Sequence, residues 1–183
     1  MIKINNDMLE KITLSKQSGV QNIFRNAFKE VPTWDDIFDH LNDVYINFPQ
    51  PEPSESYRAF GGIKMLDPLY IWLEDAYKLK HYDKVLKYLS QLLNKETVGG
   101  IVLLDLMSDY RRDAAHFDNC DVFHWQMIGK TKWLFGKVEN FKFVEEPEEH
   151  ILYPGDLVFI PQGLGHHVTS LTPRSGATLH FHV

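Results

Sequence analysis

Two short stretches hold side chains whose types and spacing suit metal chemistry. In HFDNCDVFHWQMIGKTKW, His116 and Asp118 stand two residues apart, ahead of a run rich in aromatic and β-branched residues. On a strand, side chains at i and i+2 project from one face, so an imidazole and a carboxylate would point together while Phe117 turns into packing. An isolated H-x-D also fits a surface ion pair, so a third ligand is needed. YPGDLVFIPQGLGHHV supplies one, because Gly155, Pro161, Gly163 and His166 follow a G-x5-P-x-G-x-x-H spacing. Pro161 fixes its own φ and the glycines open backbone conformations closed to other residues, so a tight turn delivers a histidine to the start of a new strand. Two histidines from different strands plus one carboxylate form a 2-His-1-carboxylate facial triad. Such a triad covers one face of an octahedral Fe(II) and leaves the opposite face for substrate and O2.

The elements that must carry these residues change character once, near residue 97. After KETVGG the chain becomes short runs separated by turns: GIVLLDLM, DVFHWQM, TKWLFG, FKFVEE, HILYPGDLVFIP, HHVTSL and ATLHFHV. Runs of this kind predict a β-sandwich or barrel. Up to residue 96 the periodicity is mostly helical. In VPTWDDIFDHLNDVY, Thr33 is a predicted N-cap with Asp36 three residues on, and Trp34, Ile37, Phe38, Leu41 and Tyr45 fall on one side. A second helical block is predicted over DPLYIWLEDAYKLKHYDKVLKYLSQLLN, broken near His81. Between the two, NFPQPEPSESYRAFGG packs Pro49, Pro51 and Pro53 together and ends on Gly61-Gly62, which predicts an irregular or covering loop. The expectation is one domain over 1–183, with 1–96 mostly helical and 97–183 holding the barrel strands and the metal site.

Bulk composition narrows the partners. Nineteen basic against 25 acidic residues give a net charge of -6, so no global field draws the chain to phosphate backbones or anionic lipid, and nucleic acid is not expected. Cys120 is the single cysteine and cannot close an internal disulfide. MIKINNDMLEKITLSK lacks the basic-then-apolar order of a secretory signal, which together with the lone thiol points to a reducing cytoplasm. No apolar stretch nears the roughly 20 residues of a membrane span, and Asp105 interrupts GIVLLDLM. The acidic run EEPEEH reads as a solvated hairpin loop, with an acidic docking patch for a basic substrate as the other reading.

HFDNCDVFHWQMIGKTKW resembles the H-x-D, D-V-F, Gln, Gly, Trp sequence of the JmjC-type 2-oxoglutarate oxygenases, especially the small ribosomal-oxygenase-like group. GDLVFIPQGLGHH is similar to their second cupin motif. The resemblance covers residues 97–183, and the N-terminal half only through FRNAFKEVPTWDD and its helices. It implies an α+β, mainly β chain folded as a double-stranded β-helix, the jelly-roll or cupin barrel, with N-terminal helices. Carried over residue by residue, it implies His116, Asp118 and His166 as iron ligands. His167 competes with His166, but strand neighbours face opposite sides, and the P-x-G-x-x-H spacing selects His166. His124, His150, His180 and His182 read as satisfied or exposed, Trp125 and Trp133 as barrel core, Cys120 as a small packed group near the site and Asp121 as a turn or strand-start residue.

One position departs from the resembling proteins. Where they carry a Lys or Arg two residues after the Gly of this motif, which holds the distal carboxylate of 2-oxoglutarate, GKTKW places Thr131. A hydroxyl supplies about 1 kcal/mol as a neutral hydrogen bond against about 1.5 to 3 for a charge-assisted one. Thr131 and Lys132 are the expected cosubstrate residues, a one-residue bulge being able to bring either Lys130 or Lys132 inward; Arg174, Arg111 and Arg112 are the other cations that could supply the charge. The resemblance implies Fe(II), 2-oxoglutarate and O2 in an oxygenase hydroxylating a C–H bond of a polypeptide side chain, with a basic segment suiting the acidic balance. Two other classes stay open: a metal cupin dioxygenase acting on a small molecule without 2-oxoglutarate, and a noncatalytic cupin binding module. The N-terminal helices offer a face for a homodimer.

Overall fold

A computed structural model describes residues 6–47, 63–67, 70–73, 79, 81–93, 97–106 and 114–181. The predicted proline-rich loop, Arg111, Arg112 and His182 lie outside the described residues. The elements in chain order are α1 (Asn6–Ser18), β1 (Asn22–Phe24), α2 (Trp34–Asn47), β2 (Ile63–Asp67), β3 (Tyr70–Leu73), α3 (Tyr82–Leu93) and β4 (Thr97–Asp105). There follow β5 (Asp121–Ile128), β6 (Thr131–Gly136), β7 (Val138–Glu139), β8 (Lys142–Phe143), β9 (Glu148–Leu152), β10 (Leu157–Ile160), β11 (Gly165–Ser170) and β12 (Arg174–Phe181).

Antiparallel pairing among the described residues gives a seven-stranded sheet, β1-β10-β5-β12-β4-β3-β2, and a three-stranded sheet, β11-β6-β9. The alternation of β5 shows why two layers form on either side of it. Val122, His124 and Gln126 face the small sheet, and Val122 clusters there with Trp133 and Phe135 of β6, Leu152 of β9 and Val158 and Ile160 of β10. Phe123, Trp125 and Met127 face the other way, into a second core with Ile12 of α1 and Val85 and Leu89 of α3. The fold is a double-stranded β-helix whose outer face is covered by helices, as the sequence resemblance implies. Among the described residues, no helix is long and apolar enough to cross a membrane.

Local chemistry sets the joints. Thr33 caps α2: its Oγ1 accepts from Asp36 N at 3.2 Å, while Asp36 Oδ2 accepts from Thr33 N at 2.8 Å. The face above that cap is less buried than its spacing suggests, since Ile37 is fully buried but Phe38 is 49% exposed, stacked on Trp34. His81, at the predicted break, adopts φ 67°, a conformation outside the right-handed helix, immediately before α3. The helix predicted from Asp67 is corrected over Asp67 and Tyr70–Leu73, while its stretch 74–78 lies outside the described residues. Residues 63–73 contain two strands, with β3 paired to β4 through Ile71–Leu104 and Leu73–Val102. The β-branched and aromatic YIWL segment gains more from a ladder against β4 than from the helical spacing of Leu73 with Leu69.

Candidate metal centre

The two motifs are hooked together by backbone. His116 and His166 exchange both amide hydrogen bonds, His166 N donating to His116 O at 2.7 Å and His116 N to His166 O at 3.0 Å. Directly opposed residues project on the same side, so the two rings lie 4.5 Å apart, and Asp118 two residues on joins them. The turn that delivers His166 closes through Leu164 N donating to Pro161 O at 3.1 Å, with Gly163 at φ 80°, a conformation favouring glycine. It is anchored on the first motif twice: Gly163 N donates to Asp118 O at 3.0 Å, and Gln162 N to Asp121 Oδ1 at 2.9 Å. Asp121 also pairs with Lys16 of α1.

His116, Asp118 and His166 each present a ligand atom, all within 4.8 Å of one another. Both imidazoles are oriented by the carbonyl two residues earlier. His116 Nδ1 lies 3.0 Å from Ala114 O and His166 Nδ1 3.1 Å from Leu164 O, so each ring donates Nδ1–H to backbone and keeps its Nε2 lone pair for a metal. His166 Nε2 lies 3.6 Å from Asp118 Oδ2, so an ion could sit between them. Burial pushes His166 below the usual imidazole range, aided by the nearby His116 and opposed by its Leu164 bond and Asp118, which keeps it in the neutral, ligating form. This donor set, two neutral imidazoles and one carboxylate with room left over, suits a facial triad for Fe(II).

The triad opens on a cavity of about 470 Å³ between the two sheets. Val122, Trp133 and Ile160 form its apolar wall, and the ring of Trp133 stacks 5.9 Å from His166. The Asp118 side chain is 28% exposed, whereas His166 is buried. Arg174 and His124 also line the cavity and are buried. Arg174 is held in place by its Nε–H, donated to Ser170 Oγ at 2.9 Å; that hydroxyl in turn donates to Asp105 Oδ2 at 2.7 Å.

The expected cosubstrate residues are not brought to this cavity. Thr131 is fully buried, and its hydroxyl donates to Gln126 Oε1 at 2.8 Å and accepts from Trp133 Nε1 at 3.0 Å. Lys132 follows the regular alternation of β6 onto the outer face, its Nζ 3.6 Å from Glu149 Oε2, with no bulge in the pairing to β9 or β11 to turn it inward. His167 faces a separate pocket with Leu134 and Phe143, opposite His166. His150 pairs with Glu148 at 2.7 Å, whereas His124 and His180, read from sequence as satisfied or exposed, line the cavity. Inward alternation from Val122 could have flagged His124. Trp125 packs edge-on against Phe28, and Trp133 is both core and cavity wall. Burial, then the charges of Asp118 and Asp121, push the Cys120 thiol up.

Comparison with known proteins agrees with the motifs. Residues 107–183 match the JmjC domain. The sequence resemblance is borne out there, over the segment that holds all three ligands. None of the curated proteins matches the chain. Among solved structures, the whole chain superposes on YcfD, a ribosomal oxygenase from Escherichia coli, with a TM-score of 0.69 and 17% identity, covering 52% of that chain. A complex of the same protein with cobalt and 2-oxoglutarate gives 0.61 and 18%, with all of this chain and 53% of that one covered. Its complex with cobalt and succinic acid gives 0.60 and 18%, covering 90% of this chain and 48% of the other. The chain therefore spans about half the length of these structures, and at such identity the likeness is one of fold.

Proposed function

We propose that the JmjC segment holds Fe(II) on His116, Asp118 and His166 and is the active site of a 2-oxoglutarate-dependent oxygenase that hydroxylates a C–H bond of a polypeptide side chain. The observation that carries the reading is the geometry of the three ligands, two of them pre-oriented by backbone carbonyls, at a cavity whose wall bears one arginine. Bound there, Fe(II) would supply the redox chemistry that couples O2 and 2-oxoglutarate to succinate, CO2 and a hydroxylated product. The chain's own residues do the rest. The ligands leave coordination positions on the cavity side, and Trp133, Val122 and Ile160 keep water from the space beside them. Arg174 offers the charge for the distal carboxylate that Thr131 lacks. The YcfD complex with 2-oxoglutarate supports this reading at the level of a shared fold. The net charge of -6 supports a basic polypeptide segment as prime substrate. We place chain 1–183 as one domain working in the cytoplasm.

A second reading, a metal dioxygenase acting on a chelating small molecule without 2-oxoglutarate, draws on one observation: Arg174 is tied through Ser170 to Asp105, which tempers its pull on an anion. Anaerobic titration of the Fe(II) protein with 2-oxoglutarate separates the two. A visible charge-transfer band that saturates and disappears in His116→Ala is the expected result. Iron binding without any such band or 2-oxoglutarate consumption gives the site to the second reading.

A further inference from the structure

His124 is the one buried histidine in the cavity wall that neither the ligand set nor the fold explains. It is fully buried on β5, directly opposite Thr178 of β12, and its Nδ1 lies 2.9 Å from Thr178 Oγ1. Its Nε2 has no hydrogen-bond partner among the described residues. Gln126, next inward on the same strand, is committed elsewhere: its amide donates to Ile128 O at 2.7 Å and its Oε1 accepts from Thr131. Buried polar atoms are paired in the great majority of cases, so an orphaned nitrogen on a cavity wall points to what the cavity receives.

Gly176 shows where that nitrogen lies. It stands on β12 between Arg174 and Thr178 at the inward alternation, and a Cβ there would come within 2.6 Å of His124 Nε2 and 2.7 Å of Cε1. The imidazole therefore occupies the space a side chain at 176 would fill. Its edge runs along β12 from Thr178, at Nδ1, over Gly176 toward Arg174. Only glycine admits the ring in that pose, and the bulge between Ser175 and Gly176 in the pairing with β5 adjusts the strand at that point.

We infer that His124, set by Thr178 and admitted by Gly176, is a second ligand-contacting residue beside Arg174, donating Nε2–H to one oxygen of a carboxylate whose other oxygen faces the guanidinium. The inference rests on the reading of the cavity as a 2-oxoglutarate site and names the residue that selects a dicarboxylate over a monocarboxylate there. With the Thr178 hydroxyl donating to Nδ1, the ring proton sits on Nε2 and points along the wall. Burial first, then the Arg174 charge, push the imidazole down to about 3, a shift opposed by its polar side-chain contact with Gln126, so the ring is neutral. One cation and one neutral donor match a single planar carboxylate and are too little charge for a phosphate dianion.

The test uses the anaerobic Fe(II) protein and two 2-oxo acids that chelate alike, 2-oxoglutarate and 2-oxobutyrate, which lacks the distal carboxylate. Calorimetric dissociation constants are compared for wild type, His124→Leu, His124→Gln and Gly176→Ala, each checked for fold by circular dichroism. His124→Leu should weaken 2-oxoglutarate about tenfold and leave 2-oxobutyrate unchanged, and His124→Gln, which keeps a donor, should recover most of the loss. Gly176→Ala should resemble His124→Leu, because it expels the ring. Independently, 15N-histidine spectra of the Zn(II)-loaded protein should show the His124 Nε2 resonance moving when 2-oxoglutarate is added and not when 2-oxobutyrate is. Equal weakening of both acids, or no change in a protein that binds 2-oxoglutarate, overturns the role of His124. A wild type that takes iron but neither acid overturns the active-site reading itself, and this inference with it.

Discussion

Thr131→Val distinguishes a cosubstrate residue from a structural one. The two side chains are nearly the same shape, but valine cannot replace either hydrogen bond of the buried hydroxyl, which links Gln126 Oε1 at 2.8 Å to Trp133 Nε1 at 3.0 Å. Both partners are themselves buried, so each loses its bond with no access to water. An unsatisfied buried polar group costs about 1 to 3 kcal/mol, so two give a loss on the order of 3 kcal/mol. For a chain of this length that corresponds to a fall of roughly 6 to 12 °C in Tm, read by calorimetry and by urea unfolding at constant m. The 2-oxoglutarate dissociation constant of the iron-loaded variant should move by less than about threefold, since the hydroxyl faces Gln126 and Trp133 and not the cavity. Thr131→Lys should be worse in stability and no better in binding, because its stem would enter the space held by those two bonds. A tenfold weaker 2-oxoglutarate affinity with Tm unchanged in Thr131→Val, or tighter binding in Thr131→Lys, would refute this placement.

His116→Ala, Asp118→Ala and His166→Ala should each reduce Fe(II) affinity by at least tenfold in a chelator competition, whereas His167→Ala should lower stability and leave metal affinity within about twofold. Asp121→Ala frees the Gln162 amide that anchors the His166 turn; it should weaken metal binding about tenfold, while Asp121→Asn, which retains an acceptor, should lose mainly the Lys16 contact and thus only stability. Lys132→Ala should change neither metal nor 2-oxoglutarate binding, as its ammonium faces Glu149 on the outer surface. Burial raises the Tyr82 phenol from 10.0 to about 12. A raised phenol contributes stability that is whole below pH 10 and is lost as pH climbs from 10 to 12, about 3 kcal/mol in all. Tyr82→Phe should lose less stability over that window in urea titrations, and identical alkaline profiles would show that Tyr82 does not control it.

The parts of the site legible in sequence are those whose geometry is local. H-x-D places two groups on one strand face whatever the strand pairs with, and P-x-G-x-x-H encodes its own turn. The Thr33–Asp36 cap is equally local, and so is the break at His81. Residues 63–73 failed for the opposite reason. Leu69 and Leu73 have helical spacing, but β3 exists because it lies beside β4, roughly 30 residues later in the chain, and nothing in YIWL itself announces that partner. His124 sits between these cases. Alternation puts it on the same face as Val122 and Gln126, but what that face meets is decided by β12, where Gly176 happens to have no side chain.

The cation shows the same limit and says something about how this barrel is assembled. In the resembling proteins the charge is expected on the strand that here is β6, beside Trp133. Here the arginine lining the cavity opens β12, four residues after the end of β11, where the chain crosses from the three-stranded sheet to the seven-stranded one. That crossover is pinned at its turn by Leu171 N donating to Lys130 O at 2.9 Å and by Lys130 N donating to Thr172 Oγ1 at 2.9 Å. It is pinned again below the turn by the Arg174–Ser170–Asp105 chain. His166 and Arg174 therefore stand on different sheets joined by a short pinned crossover, and the packing of the two sheets sets their separation. Freed of the charge, the β6 position could become a small buried hydroxyl that holds the cavity's tryptophan in place, the role Thr131 has in this structure.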